Sequence, residues 1–171
     1  GTSPVIYQDR VILHSGPGER IFVAAFDLQT GKTIWEVDEP QQGKNGSERE
    51  DGKYKGSWCT PIVANVDGQD QVICTMPTRV MAFDPKDGGV IWTCDGIRGP
   101  KGDLSYSSPL LNEGILVSIG GFQGPGIGMR LGGKGDLTDS HRLWRNEKNP
   151  QSIGSGVFLD GYIYRPNAGP G

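Results

Sequence analysis

Ala25-Phe26-Asp27-Leu28-Gln29-Thr30-Gly31-Lys32-Thr33-Ile34-Trp35 recurs in register as Ala82-Phe83-Asp84-Pro85-Lys86-Asp87-Gly88-Gly89-Val90-Ile91-Trp92. The offset is 57 residues, and it also relates Ser3-Pro4-Val5 to Thr60-Pro61-Ile62 and Asp38 to Asp95. A fixed period of this length marks stacked copies of one supersecondary unit.

Each unit reads as four short strands. In the first they are Pro4-Val5-Ile6, Arg10 to His14, Ile21 to Phe26 and Thr33 to Val37. The runs are β-branched, aromatic and apolar, and Gln8-Asp9, Gly16-Pro17-Gly18 and Thr30-Gly31 separate them. The second unit repeats this as Pro61-Ile62-Val63, Gln71 to Thr75, Arg79 to Phe83 and Val90 to Cys94. A third starts at Ser108-Pro109-Leu110, continues in Gly114 to Ser118 and ends in Arg142-Leu143-Trp144-Arg145. Between them lies Gly120 to Gly135, read as the loop of a widened hairpin. A fourth starts at Ser155-Gly156-Val157 and includes Gly161-Tyr162-Ile163-Tyr164.

The expected fold is therefore all-β: one β-propeller domain over 1–171, with antiparallel blades at about 2–38, 57–96, 105–146 and 152–171. Its about three and a half blades are expected to be part of a closed ring of seven or eight, since known propellers close with about four to eight. The missing strands would come from the remainder of the propeller or from another subunit.

The recurring residues have a physical reading of their own. Asp27 and Asp84 precede tight turns, where a carboxylate accepts backbone N–H groups. Gly31 and Gly88 suit the left-handed position such turns require. Trp35, Trp92 and Trp144 fall on the outermost strands and are expected to be equivalent, mostly buried seam residues.

Ala25-x-Asp27-x-x-Thr30-Gly31-Lys32-x-x-Trp35 resembles the AxDxxTGxxxW motif of PQQ-like propeller repeats, the repeat of quinoprotein alcohol dehydrogenases and of many bacterial proteins that bind no quinone. In the second copy Ala82, Asp84, Gly88 and Trp92 remain, while Asp87-Gly88-Gly89 replaces Thr-Gly-Lys. Met81 to Lys86 and Gly132 to Thr138 look similar to secreted bacterial PQQ-like repeat proteins without an assigned reaction. The resemblance implies a periplasmic or secreted protein and a tryptophan docked on the neighbouring blade. In the dehydrogenases it implies PQQ with calcium, often over two adjacent cysteines. No adjacent cysteine pair occurs here, and no acid–Asn calcium set matches.

Glycine and proline total 28 and 12, which suits many turns and leaves little room for helix. The net charge of −3, with both signs interspersed, argues against nucleic acid as a partner. No long apolar run is present to span a membrane. The polar stretch from Glu39 to Lys55 reads as a long blade-to-blade loop.

Candidate chemistry is thin. Cys59, Cys74 and Cys94 form no CxxC, and they read as buried small apolar residues. Cys59 and Cys94 fall on opposite edges of one blade, too far apart for a disulfide. His14 and His141 have no second ligand at metal-binding spacing along the chain. The Gly120 to Gly128 and Gly132 to Asp136 runs lack the GK[ST] ending and following helix of a phosphate loop. Gly154-Ser155-Gly156 only skims a nucleophile elbow.

Three functions follow as expectations. The first is a non-catalytic scaffold or binding module with a protein partner, no cofactor and no catalytic or metal residues. The second is part of a quinoprotein dehydrogenase, the one case that brings PQQ and calcium. The third is a carbohydrate-binding or carbohydrate-processing propeller, with Tyr54, Trp58 and Tyr106 near the channel mouth.

Overall fold

The computed structural model describes residues 2–18, 20–40, 48–150 and 153–166. The first sheet is a meander of β1 (Val5–Tyr7), β2 (Arg10–Ser15), β3 (Phe22–Asp27) and β4 (Thr33–Asp38). After β5 (Lys55–Ser57) the second sheet runs β6 (Ile62–Val66), β7 (Gln69–Thr75), β8 (Arg79–Phe83) and β9 (Val90–Asp95). After β10 (Asp103–Ser105) come β11 (Leu110–Asn112), β12 (Ile115–Ile119), β13 (Gly126–Arg130), the two-residue β14 (Gly135–Asp136), a one-turn helix α1 (Thr138–His141) and β15 (Arg142–Asn146). The third sheet is β11-β12-β13-β15. Finally β16 (Val157–Leu159) pairs with β17 (Tyr162–Tyr164). The protein is all-β apart from α1, and the sheets do not close into a ring.

The repeated motif makes the same turn twice. Asp27 accepts N–H bonds from Gln29 and Thr30 at 3.2 and 2.7 Å, and the Thr30 hydroxyl at 2.7 Å. Thr30's hydroxyl and N–H hold the Asp27 carboxyl below the usual carboxylate range. Asp84 accepts from Lys86 N–H at 2.8 Å. Gly31 and Gly88 sit at φ +69° and +76°, and each N–H returns to the carbonyl of its aspartate at 2.9 Å. Beyond each turn lies the same irregularity. Trp35 faces Ala25, Trp92 faces Ala82 and Trp144 faces Gly128, each beside a register shift. A small residue opposite the indole leaves room for the ring. At Gly128 a Cβ would fall 2.3 Å from the Trp144 ring.

No sheet buries its faces alone, so the core lies in the seams. One buried cluster, with Ile12, Ile21, Trp35, Val72, Met81 and Phe83, fills the space between the first and second sheets. Another, with Ile73, Val80, Trp92, Leu116, Ile127 and Met129, lies between the second and third. Trp35 crosses the first seam: its Nε1–H donates to the Pro85 carbonyl at 3.0 Å, and its ring covers Gly88. At the inner edge the repeated hydroxyl positions form a relay. Ser3 N–H donates to Thr60 Oγ1 at 3.1 Å, Thr60 N–H to Ser108 Oγ at 3.1 Å, and Ser108 N–H to Ser155 Oγ at 2.9 Å.

Three expectations need correction. Gly120 to Gly135 is not one loop, since it contains β13, whose Gly126 and Gly128 lower its strand signal but clear space for Asn149 and Trp144. Its later part returns to the second sheet, where β14 lies parallel to β9 and pairs Gly135 with Trp92. The Glu39 to Lys55 loop is in part ordered: Glu39 is buried, Glu48 bridges Tyr54, and Lys55 begins β5. Its centre, 41–47, lies outside the described residues. The tryptophans share a register but not an environment. Trp35 is 6% exposed, Trp92 fully buried with Nε1–H donating to Gln71 Oε1 at 2.8 Å, and Trp144 38% exposed.

Chemical denaturation therefore separates these residues. Trp92→Ala should lose about 3–5 kcal/mol, whereas Trp144→Ala should lose about 1 kcal/mol because much of its ring already faces solvent. Equal losses would show that the second and third seams are alike. The glycines give a sharper comparison. A Cβ at Gly31 meets nothing within 4 Å, so Gly31→Ala carries only the left-handed backbone strain of about 1–2 kcal/mol. A Cβ at Gly88 would fall 2.8 Å from the Trp35 ring. Gly88→Ala should lose a further ~1–3 kcal/mol of overpacking, and Trp35→Ala in the same chain should remove the difference between the two glycines.

Candidate functional site

Two groups at the inner ends of the seams carry the chemistry. The first is built on a parallel ladder that pairs β5 with β10: Lys55 with Asp103, Gly56 with Leu104 and Ser57 with Ser105. The ladder continues through Trp58 N–H, which donates to the Ser105 carbonyl at 2.8 Å. The next residues along it, Trp58 and Tyr106, meet edge to face at 5.3 Å. Tyr106 meets Phe122 edge to face at 5.9 Å and lies over Gly121, where a Cβ would come within 2.6 Å of the ring. Burial raises the Tyr106 phenol above its ordinary value. Tyr54 stands apart at 69% exposed.

The ladder's first pair is ionic and buried. Asp103 is 1% exposed and accepts from Arg49 Nη1 at 3.0 Å, with Arg98 Nε at 3.4 Å. Lys55 is buried too; burial lowers its ammonium pKa, and the charges of Glu39 and Asp103 pull it back up. Glu39 accepts from the Thr78 hydroxyl at 2.7 Å. Charges removed from water in this way hold their place only when paired.

The second group lies in the seam between the first and second sheets. His14 on β2, Cys59 just before β6 and Cys74 on β7 are each completely buried, and a ligating atom from each lies within 4.8 Å of the others. The two sulfurs are 3.5 Å apart, and Cys59 Sγ is 3.9 Å from His14 Nδ1. Cys59 Sγ also lies 3.0 Å from the Thr75 carbonyl oxygen, to which Ser57 Oγ donates at 2.7 Å. Burial works to raise the Cys59 thiol, but hydrogen bonds from Cys74 and His14 outweigh it and hold Cys59 well below the ordinary thiol value. Cys74 is pushed well above it by burial and by its neighbour Cys59. All three cysteines are free.

All three cysteines are buried, as expected. Burial pushes the Cys94 thiol up to about 11. Cys59 and Cys74 also converge with each other and with His14 from another sheet. No signal along the chain marks the trio, because its members are brought together across a seam. His141 lies apart on α1, its Nδ1 2.8 Å from Ser140 Oγ. Phe122 too was missed, hidden in a glycine-rich run. The motif residues Ala25, Asp27, Thr30, Gly31, Trp35, Ala82, Asp84, Gly88 and Trp92 lie on or at the ends of the third and fourth strands of their sheets and contribute no ligand atom to the trio. Ser155, at the skimmed elbow, accepts the last bond of the hydroxyl relay.

The convergent ligand group found among the described residues offers two sulfurs and an imidazole, softer donors than the oxygens calcium takes.

Comparison with known proteins follows the fold. A structure of BamB from Moraxella catarrhalis superposes over 94% of this chain and 40% of its own, with TM-score 0.59 and 17% identity. Quinohemoprotein alcohol dehydrogenase from Comamonas testosteroni matches with TM-score 0.52 and 22% identity, over 87% of this chain and 21% of its own. Quinohemoprotein alcohol dehydrogenase ADHIIG from Pseudomonas putida HK5 matches with TM-score 0.56 and 13% identity, over 95% and 30%. The chain thus spans less than half the length of each of these structures. No curated protein sequence matches it significantly. A family model described as outer membrane protein assembly factor BamB matches residues 1–167. With both the repeat motif and the propeller sheets in place, the chain belongs to this PQQ-like repeat family.

Proposed function

We propose that this chain is a non-catalytic portion of a larger propeller, outside the cytoplasm, that serves as a protein-binding scaffold. One observation carries the reading: the repeated motif serves to join sheets, and among the described residues the last sheet consists of two strands that expose apolar side chains. Val157, Leu159, Tyr162 and Tyr164 on β16 and β17 are 55–68% exposed. Beside them opens a cleft of about 380 Å³ lined by Val117, Ile119, Trp144, Ile163, Arg165 and Pro166. A two-stranded hairpin is marginal in water by itself. Apolar strands of this kind are normally paired or covered, and the occupant that fits them is a further strand or sheet of the same propeller repeat.

The extracytoplasmic placement rests on the family, described as an outer membrane protein assembly factor. Among the described residues no helix is long and apolar enough to cross a membrane. The aromatic trio fits a carbohydrate platform poorly, because Trp58, Tyr106 and Phe122 turn their rings on one another and of the three Phe122 alone is exposed, at 41%.

Two measurements test the proposal. In sedimentation the 171-residue chain should self-associate, and Tyr162→Lys with Tyr164→Lys should shift it toward monomer; a parent chain that stays monomeric at high concentration overturns the idea of an uncovered sheet. Incubation with PQQ and calcium should give neither bound-quinone absorbance nor dye-linked alcohol oxidation. Saturable quinone binding would put the dehydrogenase reading first.

A further inference from the structure

The geometry of His14, Cys59 and Cys74 points to a buried three-coordinate site for a thiophilic metal ion, copper(I), that clamps the first sheet to the second. The sulfurs are 3.5 Å apart, the imidazole Nδ1 is 3.9 Å from Cys59 Sγ, and all three ligand atoms lie within 4.8 Å of one another, a cluster that can close onto one ion. Metal–sulfur and metal–nitrogen bonds of about 2.3 and 2.0 Å place their ligand atoms at about such distances from one another.

The donor set selects the metal. Thiolates and imidazole favour soft ions, copper(I) and zinc among them, over calcium or magnesium. Structural zinc is almost always tetrahedral with four protein ligands. Here three ligand atoms converge, and the nearest further polar groups, Ser57 Oγ and the Thr75 carbonyl, are bonded to each other. Copper(I) is content with three soft donors and no water, which matches a site with zero exposure at all three residues.

His14 is the independent observation. Its ring is completely buried, and among the described residues its Nε2 has no hydrogen-bond partner while Nδ1 meets the distant Cys59 sulfur alone. Buried polar groups left this way are uncommon and ask for an explanation such as an ion. What the ion satisfies is Nδ1, whose contact with the Cys59 sulfur is 3.9 Å long; Nε2 stays a buried N–H. On binding, the metal–sulfur bonds form as the thiol protons leave to solvent, with no change of oxidation state.

The clamp joins elements far apart in sequence, since His14 lies on the first sheet, Cys74 on the second, and Cys59 in the segment leading into it. Met76 and Met81 belong to the same buried cluster and keep the surroundings soft and dry. The site does not depend on the scaffold reading and stands whether or not further sheets are present.

Anaerobic titration of the reduced 171-residue chain with copper(I) tests it. One ion should bind per chain, and X-ray absorption should show two sulfurs and one nitrogen. The melting midpoint should rise by about 5–10 °C, as expected for a tight ligand of the folded state alone. Cys59→Ser and Cys74→Ser should each weaken binding at least about a hundredfold, a loss typical of a removed ligand or its outer shell, while Cys94→Ser should bind like the parent. Any variant that fails to fold is replaced by His14→Cys, which should restore a three-sulfur shell with no nitrogen. The inference is overturned if no stoichiometric ion binds, if the shell lacks nitrogen in the parent, if zinc binds as a four-coordinate site in preference to copper(I), or if mass analysis of the native protein shows a Cys59–Cys74 disulfide.

Discussion

The indole of Trp35 requires two things from the neighbouring sheet: a carbonyl for its N–H and a surface without a Cβ beneath its ring. The turn from Asp84 to Gly89 supplies both, through the Pro85 carbonyl and Gly88. The turn takes this shape because Asp84 caps it and Gly88 accepts a left-handed backbone. A residue set that looks like a local turn signal is thus also a docking surface. The small residue opposite each tryptophan completes the arrangement, since it lets the ring lie over the strand.

The seam is held at its other end by a different device. Ser3, Thr60, Ser108 and Ser155 occupy equivalent positions, and the N–H of each of the first three donates to the next hydroxyl. Each innermost strand thereby satisfies a backbone donor that has no ladder partner, at a typical net gain of about 0.5–1.5 kcal/mol per bond. Outer indoles and inner hydroxyls fix the spacing of the sheets from both sides. The second seam differs from the first at the outer end. There Trp92 turns its N–H to Gln71 in its own sheet, and β14 with Leu137 covers it. The longer connection before β15 compensates for the absence of an Asp-to-Gly turn in the third unit.

Most of this order was legible in the chain. The 57-residue register located strands, turns and the matching positions of Trp35 and Trp92, because those features repeat local chemistry. What escaped was non-repetitive or long-range. β13 alternates glycine with apolar residues, and a strand of this kind reads as loop until the ring over Gly128 is seen. Trp144 has the right register but lacks a full neighbouring sheet, and exposure is a property of the neighbour rather than of the residue. His14 lies 45 positions from Cys59, so no local spacing rule relates them.

The position of the chemistry follows from the division of labour in a seam. Outer turns and tryptophans are committed to docking, and their residue types leave little freedom. The inner approach segments β5 and β10 carry no such motif, yet they are as well buried as the strands. Their residues differ between units: Lys55 faces Asp103, and Trp58 meets Tyr106. The thiols of Cys59 and Cys74 sit just behind this ladder, tied to it by Ser57, whose hydroxyl accepts from the Cys59 N–H at 3.3 Å and donates to Thr75. Variation is therefore concentrated where the fold places the least demand on side-chain identity but still excludes water. Such a place suits a site grafted onto a scaffold, because a ligand group can change there without loosening the joint that holds the sheets together.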